Sequence, residues 1–185
     1  EAGAVLQNNK GSAINVGYQF SGCVHLVMNA GEIKNNDGDN KGAAIMFGAG
    51  SAAAGTLEIH GGTISGNTLT STKENDTYGA AIYSDSTFIM TGGLITENLT
   101  HAGRGGGVYL TGGSTCPFIM TGGTISGNTA RTGNYVGGNG HNVYVNQCAF
   151  TLGDAANIPD GLYLKLKSST FSIASPLQNP VEIEA

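Results

Sequence analysis

An eleven-residue pattern, FIMTGGTISGN at Phe118 to Asn128, recurs along this chain at nearly constant spacing and limits the possible architecture more than any other feature. Copies read LVMNAGEIKNN from Leu26, LEIHGGTISGN from Leu57 and FIMTGGLITEN from Phe88, with a decayed FTLGDAANIPD from Phe150. The starts therefore lie 31, 31, 30 and 32 residues apart. AGAVLQN, Ala2 to Asn8, matches only the second half of the pattern, so the expectation is a chain that enters partway through a unit and belongs to a longer array. A second element accompanies the copies: GSAINV from Gly11, GAAIMF from Gly42, GAAIYS from Gly79, GGGVYL from Gly105, GHNVYV from Gly140 and GLYLKL from Gly161.

Inside each unit apolar residues alternate with a period of two. Val108 and Leu110 point in with Tyr109 out, Phe118 and Met120 point in with Ile119 out, and Ile125 points in. A unit of about 30 residues holding three short strands cannot bury its apolar side alone, and does so by stacking on its copies. The expected fold is all-β, a single-stranded parallel β-helix of about six coils in one domain, with coils over 1–160 and a last coil with a strand-like cap over 161–185. Stacking predicts three inward ladders: Ile14, Ile45, Ile82, Val108, Val143; Leu26, Leu57, Phe88, Phe118, Phe150; and Ile33, Ile64, Ile95, Ile125, Ile158. Asn36, Asn67, Asn98 and Asn128, with Asn8 in the partial unit, fall at one corner, where stacked amides donate to one neighbour and accept from the other.

The Gly-Gly-x-Ile run with its following Asn, as in Gly122 to Asn128, and the GGGVY element from Gly105 resemble the right-handed parallel β-helix repeats of large bacterial surface and secreted proteins, a fold shared with pectate lyases. They are similar also to the GGA[IL] and FxxN repeats of chlamydial polymorphic membrane proteins and other autotransporter passengers. The resemblance implies a right-handed helix, an extracellular or cell-surface location, and a non-catalytic adhesin-like or stalk-like role without a cofactor. Its partner would be a glycan or a host or bacterial surface protein. Composition narrows the partners further. The net charge is −5 and the eight Lys and Arg are scattered singly, which argues against nucleic acid. No apolar run approaches the roughly 18 residues of a membrane span, so no membrane insertion of this segment is expected.

The alternative is a polysaccharide-active lyase or glycoside hydrolase, which needs paired carboxylates or an acidic calcium cluster. Glu58, Asp85, Glu97 and Asp154 occupy non-stacking positions in their units. Asn35, Asp37 and Asp39 alternate as in the first half of a calcium loop, but Asn40 and Met46 stand where its glycine and bidentate Glu should be, so a solvated turn is the simpler reading. His25, His60, His101 and His141 share no position and give no ligand set by spacing. Cys116 and Cys148 each precede a repeat Phe by two residues and should stack, within reach of a disulfide, with stacked free thiols as the alternative; Cys23 has no partner by register. A flat Thr and Ser lattice of the ice-binding kind is interrupted by Glu32, Lys34 and Leu94.

Two features vary among the copies and so are candidates for binding. Asn15, Met46, Tyr83, Tyr109, Tyr144 and Tyr163 form an outward row that either offers a flat amphipathic strip to a sugar or protein, or covers its own neighbours on a pleated surface. The loops between each corner Asn and the next Gly run to two, five, eleven, six and eleven residues, and all leave one edge of the rod. Lys73, Glu74, Asp76, Tyr78, His101, Arg104, Arg131 and Tyr135 gather there. In the tail, Lys165, Lys167, Pro176 and Pro180 are expected to guard an exposed edge, with the tail folding over the last coil.

Overall fold

The computed structural model describes residues 3–17, 24–48, 55–73, 76–113, 116–132, 135–136, 138–165, 170–174, 176–177 and 183–184. Among them every regular element is a strand, and all but one of the strand pairings are parallel. The chain is a β-solenoid of stacked coils, as the repeat requires.

The predicted ladders form with the expected partners. Ile14, Ile45, Ile82, Val108 and Val143 lie in one register, continued by Leu162 and Ile183. Leu26, Leu57, Phe88, Phe118 and Phe150 lie in a second, continued by Phe171. Ile33, Ile64, Ile95 and Ile125 lie in the third, preceded by Leu6, and Ile158, one residue beyond the last paired rung Thr124–Asn157, is buried in the same core. Their side chains meet in one continuous core, where Phe118 stacks between Phe88 at 4.7 Å and Phe150 at 4.8 Å between ring centroids. A fourth, shorter ladder follows the Asn corner, with parallel rungs at Asp37–Gly38, Thr68–Leu69, Leu99–Thr100 and Thr129–Ala130. About four turns are thus complete on every side, fewer than the six expected, because partial turns at the two ends extend only the longer walls. The tail joins as further rungs, Leu162–Lys165, Phe171–Ile173 and Ile183–Glu184, and in these it stacks in register instead of lying across the last coil. Lys167 and Pro180 lie outside the described residues.

The amide ladder is longer than the repeat suggests and shifted at its start. Asn9, not Asn8, precedes Asn36: its backbone N–H and its Nδ2 both donate to Asn36 Oδ1, at 3.0 and 2.8 Å. The same double donation runs from Asn36 to Asn67, from Asn67 to Asn98 and from Asn98 to Asn128. Asn128 then donates to Asn142, which sits two residues after Gly140 where the four preceding copies carry Ala or Gly, and Asn142 Nδ2 donates to the Asp160 carboxylate and carbonyl. The one-residue correction follows from pairing: Val5 lies opposite Glu32 and Leu6 opposite Ile33, so Asn8 falls opposite Asn35.

Asn8, Asn35, Gly66, Glu97 and Gly127, each just before a ladder Asn, have φ of 58°, 54°, 64°, 58° and 66°. The corner demands a left-handed residue, which glycine takes without strain and Asn tolerates. Glu97 is the costly occupant. Glu97→Gly is expected to stabilise the protein by about 1 kcal/mol, the left-handed penalty less the added chain entropy. Denaturant unfolding checks this, and a loss of stability would contradict it.

Candidate functional site

The wall built from the Gly-x-x-Ile/Val-Tyr elements turns its aliphatic residues into the core and its tyrosines outward, because successive strand residues face opposite sides. Stacking at the strand spacing then aligns the rings. Tyr83, Tyr109, Tyr144 and Tyr163 lie nearly parallel, with centroids 5.8, 5.2 and 4.9 Å apart in succession. A second row covers them. The chain leaving the loops forms a short parallel ladder in which Thr77–Tyr78 pairs with Gly103–Arg104, and Lys41 bridges to Tyr78. Each member of that row packs on a tyrosine of a following coil. Lys41 Nζ lies 4.7 Å from the Tyr83 ring centroid, the Tyr78 ring 4.8 Å from Tyr109, and the Arg104 guanidinium 5.7 Å from Tyr144. A cation over an aromatic face contributes about 0.5–1 kcal/mol at such a partly exposed site.

Of the two readings of the tyrosine row, this geometry agrees with the covering one and not with an open strip. Tyr83, Tyr109 and Tyr144 are only 6%, 8% and 3% exposed, their faces taken up by one another and by Lys41, Tyr78 and Arg104. They cover and support. Burial, reinforced by neighbouring Tyr144 and Tyr78, pushes the Tyr109 phenol up to about 12 against the opposing pull of Arg104 and of Asn146, whose Nδ2 donates to it at 3.1 Å. Burial likewise raises Tyr144. Both stay neutral at physiological pH, so the charge of this face is carried by Lys41 and Arg104.

The other loop candidates separate from this row. Lys73, His101 and Arg131 follow or lie on rungs of the fourth ladder, Lys73 exposed and the other two half-buried. Arg131 belongs to a hairpin in which Arg131 pairs with Val136 and Thr132 with Tyr135; the Tyr135 side chain lies outside the described residues, as does Glu74. Asp76 is held by its backbone, which donates to Ala102 O at 3.1 Å. The Asp37 carboxylate pairs with Lys10, and Asp39 is exposed beside a surface depression. Among the described residues no three His, Cys, Asp or Glu side chains gather in a way that could hold a metal ion.

Cys116 and Cys148 are buried thiols and not a disulfide. Cys116 Sγ donates to Asp85 O at 2.9 Å, and Cys148 Sγ to Asn146 O at 3.8 Å. Burial, helped by Cys116 alongside, pushes the Cys148 thiol up to about 12, which suppresses the thiolate that oxidation requires. Cys23 lies outside the described residues.

Two arrangements escaped the sequence reading. One is Lys41, although a cue existed: the residue before the Gly of each second element is Lys10, Lys41, Tyr78 and Arg104 in the first four copies. The other is a cluster on the outer face of the Phe wall. His25 Nε2 lies 2.7 Å from Glu58 Oε1, His60 Nε2 lies 2.8 Å from Glu58 Oε2, and His60 Nδ1 lies 2.7 Å from Thr91 Oγ1. Position within the repeat could not reveal it, since His25 reaches Glu58 across a diagonal between neighbouring strands. The hydrogen bonds from His25 and then His60 hold the Glu58 carboxyl below its ordinary range. A depressed carboxyl contributes stability that is present above its unfolded value and is lost as pH falls through the folded one. In a carbon-detected NMR titration Glu58 is expected to protonate below an ordinary Glu, and the double substitution His25→Ala, His60→Ala to return it to the ordinary range. An unchanged midpoint would refute the assignment.

No protein-family model matches the chain, nor does a curated protein or a solved structure; what stands is the fold itself, a parallel β-solenoid of tandem repeats with an asparagine ladder.

Proposed function

We propose that this chain is a non-catalytic β-solenoid module of an extracellular bacterial protein, adhesin-like or stalk-like, which touches a glycan or protein partner through its loop edge. The observation that carries this reading is the division of labour among the side chains. The residues shared by the copies are consumed by stacking: the Phe and Ile ladders fill the core and the Asn ladder satisfies the corner. The residues that differ between copies converge on one edge, where Lys41, Tyr78 and Arg104 form a partly exposed cationic and aromatic row on a rigid tyrosine base. Such a surface suits recognition, because its side chains are held in place before a partner arrives.

A glycan and surface-protein array probed with the whole chain tests the reading. Binding that weakens on Lys41→Ala and Arg104→Ala supports it, and an array without any binder leaves a plain structural spacer. The second reading, a polysaccharide-active enzyme, is favoured by one observation: Glu58 is a half-buried wall carboxylate bracketed by two imidazoles, a carboxylate and histidine grouping of the kind that acid–base chemistry uses. It predicts product release from acidic polysaccharides that is abolished by Glu58→Gln.

A further inference from the structure

We infer that the loop edge carries a subsite for a single neutral hexopyranose ring at the point where the tyrosine row ends. This rests on the binding-module reading and names its ligand chemistry. Four successive coils fill the outward position with Tyr83, Tyr109, Tyr144 and Tyr163, but the two coils before them carry Met46 and Asn15 in the same register. The row therefore steps down. A depression of about 230 Å³ opens there, lined by Gly11, Ser12, Asn15, Asp39, Asn40, Lys41 and Met46. Drug-sized ligands occupy pockets of about 300–1,000 Å³, so this volume suits one ring and not an extended chain.

The lining matches the two sides of a pyranose. Met46, half-buried, supplies a soft apolar floor for the face of the ring that carries only C–H groups. Asn15 and Asp39 are exposed at the rim and together supply a carboxylate acceptor and an amide that both donates and accepts, as vicinal hydroxyls require. The rim is partly fixed in advance. Ser12 Oγ donates to Lys41 O at 3.3 Å, the Asp39 carbonyl accepts Ser71 N–H at 3.0 Å, and the Lys41 ammonium is drawn over the Tyr83 ring. With that cation turned toward the aromatic row, Asp39 sets the charge facing the ligand, and this disfavours uronates and other anionic sugars.

The test uses the full chain with neutral methyl glucosides, galactosides and mannosides, and with glucuronate and galacturonate as anionic counterparts, followed by heteronuclear NMR. The expected result is saturable shifts of the Met46 methyl and the Asn15 side-chain amide with a neutral sugar, and weaker or absent shifts with the uronates. Asp39→Ala is expected to weaken binding by about tenfold or more, as for loss of a charged hydrogen-bond acceptor. Met46→Tyr extends the existing stack into the depression and is expected to abolish binding while the melting temperature stays at or above that of the parent. Oligosaccharides ending in the bound ring, taken from an N-linked glycan and from a plain polysaccharide, then show which source presents it, and binding of either supports the subsite. Equal affinity for uronates would overturn the neutral-ring assignment. Undiminished binding by a folded Met46→Tyr variant would overturn the subsite and leave the binding module intact. Failure of every monosaccharide to bind a protein that still captures array ligands would do the same, whereas an array that is also empty would remove the module reading itself.

Discussion

Asn98→Asp, a change of one amide group to a carboxylate, is expected to be the most damaging conservative substitution in the chain. Asn98 is buried and uses every polar atom. Its Oδ1 accepts from both the backbone and the side chain of Asn67, and its Nδ2 faces Ile64 O at 3.0 Å, Thr96 O at 2.8 Å and Asn128 Oδ1 at 2.9 Å. A carboxylate there points an oxygen at three acceptors and is sealed from water. Leaving buried partners unsatisfied costs about 1–3 kcal/mol each, and several are affected at once, so a loss of about 4 kcal/mol or more is expected, a large share of ordinary domain stability. The sign of the pH dependence identifies the cause. Burial raises the introduced carboxyl above its unfolded value of about 3.9, so its damage is greatest at neutral pH and eases as pH falls and the group becomes neutral. Asn98→Ala removes the same bonds without the charge and is expected to cost about 3 kcal/mol with no such recovery. Urea unfolding at neutral and acidic pH distinguishes the two, and equal losses at both pH values for Asn98→Asp would defeat the argument.

The second large effect is at Phe118. Its ring is fully buried and stacked between Phe88 and Phe150 at interplanar angles of 11° and 8°. Phe118→Ala opens a cavity that neighbouring coils cannot fill, because the spacing of the strands is fixed by their backbone pairing. A loss of about 3–5 kcal/mol is expected. Phe118→Leu should cost under about 1.5 kcal/mol, since Leu26 and Leu57 already hold the same ladder position one after the other. In a stacked repeat each coil contacts only its neighbours, so the alanine variant should also unfold less cooperatively, with a shallower denaturant slope. An alanine variant as stable as the leucine variant would show that ring stacking contributes little.

These positions explain how far the sequence could be read. Inward residues were legible because stacking requires like residues at one phase of a repeat, so that Phe88, Phe118 and Phe150, or Asn67, Asn98 and Asn128, are visible as columns. Features that break the phase were not. Asn142 enters the amide ladder from the neighbouring wall, 14 residues after Asn128, and its cue is a single Asn where the four preceding copies have Ala or Gly. Asn8 at the corner and Asn9 in the ladder are the same residue type, so only the strand pairing of Val5 with Glu32 separates their roles. The outward side was harder. Alternation says that Tyr109 and Tyr144 point away from the core, but whether they meet solvent depends on the return path of the loops, and Tyr78 comes back over Tyr109 and Arg104 over Tyr144. The His25, Glu58 and His60 cluster depends on a diagonal between strands, which no comparison of equivalent positions can show.

The amide ladder has a direction as well as a length. From Asn9 to Asn142 every amide-to-amide bond runs from the earlier coil's Nδ2 to the later coil's Oδ1, while the second Nδ2 proton of Asn67, Asn98 and Asn128 reaches a backbone carbonyl, so the dipoles of the amide-to-amide bonds add along the axis of the rod as peptide dipoles add along a helix. Hydrogen bonds aligned in this way polarise one another, and each becomes stronger for having neighbours. The donor end meets the carboxylate of Asp160, a negative group placed where the positive end of the column emerges. The solenoid thus has an electrical axis running along its corner, and coils many residues apart in sequence answer to a single field.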